Sequence, residues 1–92
     1  RQVRDLCVQL GIVMTIEDSW GGEIATSAIA HLAQSTPPAF HFQSSAFHEY
    51  ASIAIASGGP QVADGYMAAP SEPGLGVDPL MDVLGDPVCE FH

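Results

Sequence analysis

The sequence predicts an α/β fold in which two parallel strands and the helix between them precede a smaller antiparallel segment. Three observations carry this. Two short β-branched or aromatic runs, residues 12–16 (Ile-Val-Met-Thr-Ile) and 39–44 (Ala-Phe-His-Phe-Gln-Ser), flank a helical pattern. The step from Ile12 to Phe40 is 28 positions, about the length of one βαβ repeat unit. The dipeptide Asp64-Gly65, between two short apolar runs, then marks a tight antiparallel hairpin.

The elements follow in order. Val3, Leu6, Cys7 and Leu10 recur at i, i+3, i+4 and i+7, one face of an amphipathic helix. Gly11 stops it, because glycine takes the left-handed cap conformation without steric cost. Residues 12–16 form the first strand, and their lack of alternation predicts burial on both faces. The next helix runs from Gly22 or Glu23 to Gln34, with Ile24, Ala25, Ala28, Ile29 and Leu32 as its apolar stripe. Glu23 sits in its first turn, where the helix dipole favours a carboxylate. Pro37-Pro38 prevents continuation. Residues 39–44 form the second strand, and a right-handed crossover makes the pair parallel. Two such strands cannot stand alone in water with both faces buried, so the rest of the sheet is expected outside these residues.

After Ser45 the character changes. Residues 46–50 suit a short helical turn, and residues 52–56 a strand in which Ile53 and Ile55 alternate. Gly58-Gly59-Pro60 is a turn, and residues 61–63 and 66–68 are the arms of the Asp64-Gly65 hairpin. Pro70, Pro73, Gly74 and Gly76 give a kinked, extended stretch. Residues 77–83 form a last short turn before a tail at Asp86-Pro87. The chain therefore divides into residues 1–51 and 52–92.

Composition narrows the function classes. A net charge of −9, with Arg1 and Arg4 the only basic residues besides histidine, argues against a nucleic-acid or anionic-membrane surface. No stretch is long and apolar enough to span a membrane, and no signal-peptide pattern is present. Cys7 and Cys89 are too isolated for a disulfide framework or zinc site and read as free thiols of a cytoplasmic protein. The chain opens without methionine on Arg1-Gln2-Val3-Arg4, as if inside a helix, and is expected to be part of something longer.

In parallel α/β folds ligands lie at the carboxyl ends of the strands. Glu17 and Asp18 end the first strand; Gln43, Ser44 and Ser45 end the second. Adjacent strand residues point to opposite sides, so one of Glu17 and Asp18 aims into a site. Asp18 or Ser19 equally suits a helix cap, and capping and substrate contact are not exclusive. The glycine-rich turn Trp20-Gly21-Gly22 invites a phosphate reading. Glu17, Asp18 and Glu23 carry the wrong sign for it, with no basic residue to offset them. The same charges suit an ammonium group, to which Trp20 adds a cation–π face; the alternative for Trp20 is a buried packing residue. Among the histidines, His31 lies mid-helix, His41 alternates with Phe40 and Phe42, and His92 ends the chain. A metal held by His41 with His48 or Glu49 matches no specific zinc spacing. A general acid or base at His48 or Glu49 fits the position just past a strand end. No serine has a nucleophile-elbow context.

Two stretches resemble the C-terminal end of enolase-superfamily enzymes of the mandelate racemase and muconate lactonizing type. One is Ile16-Glu17-Asp18-Ser19-Trp20-Gly21-Gly22-Glu23-Ile24 with its helix through Ala30-His31-Leu32-Ala33. The other is Pro73-Gly74-Leu75-Gly76-Val77 with Val83-Leu84-Gly85-Asp86-Pro87-Val88. The Glu-Asp-x-Trp-Gly-Gly form is similar to members acting on proline-type or betaine substrates, such as 4-hydroxyproline betaine epimerases and cis-3-hydroxyproline dehydratases. The resemblance implies a modified TIM-type barrel, with residues 1–51 supplying its last two strands and intervening helix. Residues 52–92 would return to an α+β capping domain. It implies a racemase, epimerase or dehydratase that removes the proton α to a substrate carboxylate. It also implies Mg2+ bound upstream and a homo-oligomer at full length. The metal carboxylates and lysine bases of the family come from earlier strands, and this chain has no lysine at all. No catalytic or metal-binding residue is therefore assigned here. Asp18, Trp20 and Phe47 are the expected substrate-binding residues, with Phe47 an apolar or cation–π wall. A non-catalytic binding or assembly module is the alternative.

Overall fold

Helix α1 (Gln2–Gln9), strand β1 (Met14–Ile16), helix α2 (Gly22–Gln34) and strand β2 (His41–Ser44) follow one another in the computed structural model, which describes residues 1–91. His92, the last of the four histidines, lies outside the described residues. β1 and β2 pair in parallel, with Met14 opposite His41, Thr15 opposite Gln43 and Ile16 opposite Ser44. The register shifts between Met14 and Thr15. Gly11, at φ 71°, turns the chain from α1 towards β1 in the left-handed region that glycine adopts freely.

The strands are shorter and barer than the sequence predicts. Ile12 and Val13 precede β1 and are 49% and 55% exposed; of β1 itself only Ile16 is buried. Within these residues only one face is covered: α2 packs on this pair, and no second layer lies on the other side among the described residues. The predicted α1 face is likewise bare, with Val3, Leu6 and Leu10 exposed. Residues 38–40 leave the second strand for a 3-10 turn, in which Phe40 N–H donates to the Pro37 carbonyl at 2.9 Å. Proline's fixed φ pre-sets such a turn, so pairing begins only at His41.

The buried face of α2 is also rotated from the expected stripe. Thr26 and Ser27 are fully buried and Ala30 nearly so, while Ala28 is exposed and Ile24, Ala25, Ile29 and Leu32 are half-buried. Polar burial is tolerable where a partner waits. Thr26 Oγ1 donates to Asp18 Oδ2 at 2.8 Å, which draws the hydroxyl face inward.

From Phe47–Tyr50, a 3-10 turn, the chain enters a return segment built from short antiparallel pairs. Strand β3 (Ala56–Ser57), hairpin strands β4 (Val62–Ala63) and β5 (Tyr66–Met67), strand β6 (Asp78–Pro79) and helix α3 (Met81–Leu84) complete it. Asp64 and Gly65, at φ 50° and 77°, both take the positive values that a type I′ hairpin turn requires. β3 pairs with β6, Ala56 opposite Pro79 and Ser57 opposite Asp78, where the sequence suggests only a short turn. The strand expected over residues 52–56 survives only at Ala56, and Ile53 is 65% exposed. The cause is a competing acceptor. Glu23 Oε2 takes the N–H groups of Ile55 and Ala56 at 3.0 and 3.3 Å. Further along α2, Gln34 Oε1 accepts from Ala69 N–H at 3.1 Å and His31 Nε2 donates to the Leu75 carbonyl at 3.2 Å. The helix thus holds the return segment along its length.

Candidate functional site at the carboxyl ends of the strands

Asp18 leaves β1 as a buried carboxylate, 8% exposed. Its N–H donates to Ser45 Oγ at 3.0 Å, which ties the ends of the two strands together. Oδ1 accepts from Trp20 N–H at 2.6 Å and Oδ2 from the Thr26 hydroxyl. Neither Asp18 nor Ser19 caps α2: the N-cap is Gly21, with no side-chain cap bond. The reason is the two-glycine turn, which carries the chain past the position from which a side chain reaches the first helical N–H groups. Glu17 and Ser19 are exposed.

Trp20 is 66% exposed, against the reading of a buried packing residue. Its φ of 73° is a left-handed value that a bulky side chain rarely adopts. Such strain costs on the order of 1–3 kcal/mol and gathers at ligand sites. The Trp20 ring stacks on Phe47 with centroids 5.2 Å apart and an interplanar angle of 30°. Tyr50 closes a triangle, 5.6 Å from Phe47 and 6.3 Å from Trp20. Centroid spacings of about 4.5–7 Å are those of rings in contact, so the three form a platform rather than an open cage. A cation would meet an outer face, and Trp20 offers the broadest one.

Behind the platform, Glu23 sits in the first turn of α2. Burial pushes its carboxyl up, but its own backbone N–H, those of Ile55 and Ala56, and nearby His48 together hold it below the ordinary glutamate value. A carboxyl depressed in the folded state contributes stability above its unfolded pKa and loses it as pH falls through the folded one. Acid unfolding should accordingly be steeper in the wild type than in Glu23→Gln below the ordinary glutamate value of 4.5, as read from melting temperature against pH. His48 Nδ1 and Ser27 Oγ are buried without hydrogen-bond partners. A cavity of about 470 Å³ lies elsewhere, between α2, β2 and the hairpin, and none of Asp18, Trp20 and Phe47 lines it.

The model of the enolase C-terminal domain-like family matches residues 1–83. The chain belongs to that family. Over 89 residues it is 52% identical to the cis-3-hydroxy-L-proline dehydratase of Roseibium aggregatum, covering 97% of this chain and 24% of that protein. A mandelate racemase/muconate lactonizing enzyme from Roseovarius nubinhibens ISM superposes with a TM-score of 0.90 at 42% identity. That match covers 96% of this chain and 24% of the other. A second Roseovarius nubinhibens ISM protein, described as of the same type and complexed with magnesium, superposes at 0.91 with 35% identity. It covers 99% of this chain and 25% of that one. The chain spans about a quarter of the length of the relatives it matches.

In this enolase-family chain the three expected substrate residues form one group, Asp18 joined to Trp20 by a hydrogen bond and Trp20 to Phe47 by stacking. Sequence reasoning missed Tyr50. Its signal was available, since Phe47 and Tyr50 stand three apart in a turn that follows a strand end. Two of the histidines are engaged elsewhere: His41 Nε2 lies 2.9 Å from Ser44 Oγ, and His31 meets the Leu75 carbonyl. Among the described residues no group of three or more histidine, cysteine, aspartate or glutamate side chains could hold a metal. No helix among them is long and apolar enough to cross a membrane.

Proposed function

We propose that this chain is the closing part of a divalent-metal-dependent enolase-superfamily enzyme that removes the proton α to the carboxylate of an amino-acid or betaine derivative. Residues 1–51 supply the last two strands and the intervening helix of its modified TIM-type barrel, and residues 52–92 return to the capping domain. The observation that carries the reading is 52% identity, over nearly the whole chain, to a dehydratase of a cyclic amino acid. The site supports it: a buried carboxylate beside an exposed tryptophan suits a substrate nitrogen that is positively charged. The bare faces of α1 and β1 support it too, since Val3, Leu6, Leu10, Ile12 and Val13 need a covering layer. Racemisation, epimerisation and dehydration share the proton-abstraction step and differ in bases outside this chain.

Magnesium does not fit the described residues of this chain, which form no metal-ligand group, and in this reading its ligands belong to the remaining length of the protein. The role left to these residues is to bind and orient. Asp18 and the ring faces would fix the nitrogen end of the substrate, while the carboxylate end faces the part of the barrel outside this chain.

The test is substrate profiling of the full-length enzyme with amino and betaine acids in the presence of magnesium. Turnover restricted to acids without a cationic nitrogen would overturn the substrate assignment. Within that assay Trp20→Ala should weaken binding of an ammonium-bearing acid by about 3- to 30-fold, the span of a partly desolvated cation–π contact. A neutral isostere of the same shape should lose much less.

A further inference from the structure

The turn that presents Trp20 has almost no preference of its own. Trp20, Gly21 and Gly22 have φ of 73°, 132° and 57°, three positive values in succession. Two glycines leave such a turn many alternatives, so its shape depends on what anchors each end. Asp18 anchors the entry by accepting the Trp20 N–H. At the exit stands Glu23, and a close-fitted contact surrounds it. A Cβ on Gly59 would lie 2.7 Å from Glu23 Cγ, and one on Gly22 would lie 2.7 Å from Ile55 Cγ1. At either position a larger residue would force the Ile55 or Glu23 side chain to shift. Glu23 Oε2 takes the Ile55 and Ala56 N–H groups, while the Ile55 carbonyl accepts from Leu80 N–H at 2.8 Å. The β3–β6 pair begins at Ala56, opposite Pro79.

We infer that Glu23 is a positioning residue for the aromatic platform. Its carboxylate clamps the return segment onto the first turn of α2 and so holds Trp20 in its left-handed conformation. The inference rests on the reading that Trp20 lies at the substrate-binding face, but the clamp itself can be observed without substrate. Acceptor geometry, rather than size, is what matters. One oxygen, Oε2, receives both N–H groups, so glutamine can replace it and alanine cannot.

The closing experiment places 5-fluorotryptophan at position 20 of the full-length enzyme and compares wild type, Glu23→Gln and Glu23→Ala. The fluorine resonance should move in Glu23→Ala and return to the wild-type position in Glu23→Gln at neutral pH. Peptides spanning residues 53–60 should exchange amide hydrogens at least tenfold faster in the alanine variant only. On acidification below the ordinary glutamate value, the wild-type resonance should move by an increment that Glu23→Gln lacks. The other groups around the clamp (Glu17, Asp18, His48, Glu49 and Asp78) remain in both proteins, so the difference isolates Glu23. That comparison also decides the matter if Glu23→Ala does not fold. For substrate, KM of an ammonium-bearing acid should rise about fivefold in Glu23→Ala and return in Glu23→Gln. A fluorine resonance indifferent to Glu23→Ala and to the acid increment would overturn the inference, as would failure of glutamine to restore it. Absence of turnover on any such acid, with the fluorine pattern intact, would instead remove the proposed function and leave the clamp standing.

Discussion

Asp18→Ala is expected to destabilise the protein by about 1.5–4.5 kcal/mol, the largest loss from any single side chain at the strand ends. The substitution strips the acceptor from the Thr26 hydroxyl, which is fully buried, and from the Trp20 N–H. The buried Thr26 hydroxyl left unsatisfied costs about 1–3 kcal/mol, and loss of the part-buried Trp20 bond adds about 0.5–1.5 kcal/mol. Asp18→Asn should cost about 1 kcal/mol or less, because its oxygen can still accept from Trp20 and its amide can meet Thr26 Oγ1. Urea denaturation with an unchanged m-value separates the two. The asparagine variant then isolates the charge. A carboxylate has about four acceptor positions, of which this chain occupies two, leaving capacity for a ligand. In the full-length enzyme Asp18→Asn should therefore lower kcat/KM for an ammonium-bearing acid by about 10- to 100-fold, the scale of a charged hydrogen bond. Unchanged kinetics would reduce Asp18 to a structural role.

Gly76→Ala should be the most damaging change in the return segment, at about 2–4 kcal/mol. Gly76 is buried at φ 71°, and an added Cβ would collide with the ring of Pro70 and lie 3.3 Å from the Glu72 carbonyl. Neither neighbour can swing away as a long side chain could. Across from it, a Cβ on Gly58 would lie 2.8 Å from the Gly76 carbonyl, so the two backbones meet at a distance only glycine permits. Gly74→Ala is the matched control. Gly74 also has a positive φ, 74°, but open space around it, so only the left-handed penalty of about 1–2 kcal/mol applies. Parallel denaturation curves test this. A Gly76→Ala variant no weaker than Gly74→Ala would show that the packing relaxes.

The parallel β1–β2 pair followed from the 28-residue step and the handedness of crossovers, and the hairpin from Asp64-Gly65, because in both cases the cause is local. The buried face of α2 was misplaced because its orientation is set by Asp18, eight residues before Thr26, and hydrophobicity alone favours Ile24 and Leu32 over two hydroxyls. β3 was displaced for a similar reason, the Glu23 carboxylate taking N–H groups 32 and 33 residues away. At the candidate site, the strand-end position draws attention to Asp18 and Trp20 and the family resemblance to Phe47, and the three lie together. The left-handed Trp20 and the contact of its ring with Tyr50 could not be read this way, since both are products of tertiary closure.

The bonds from Glu23, His31 and Gln34 to the return segment all end on backbone atoms. A helix that grips a neighbour by its main chain places little demand on that neighbour's residue types. The side chains at positions 69 and 75 are then open to change with the grip intact, whereas Ile55 is also fitted against Gly22 by its side chain, and at the gripped N–H groups proline sets a further limit. Proline at 55 or 69 would delete a gripped N–H, whereas at 75 it would keep the carbonyl that His31 needs. The same frame can thus carry different return segments, and vary whatever they cover, without redesigning the helix beneath.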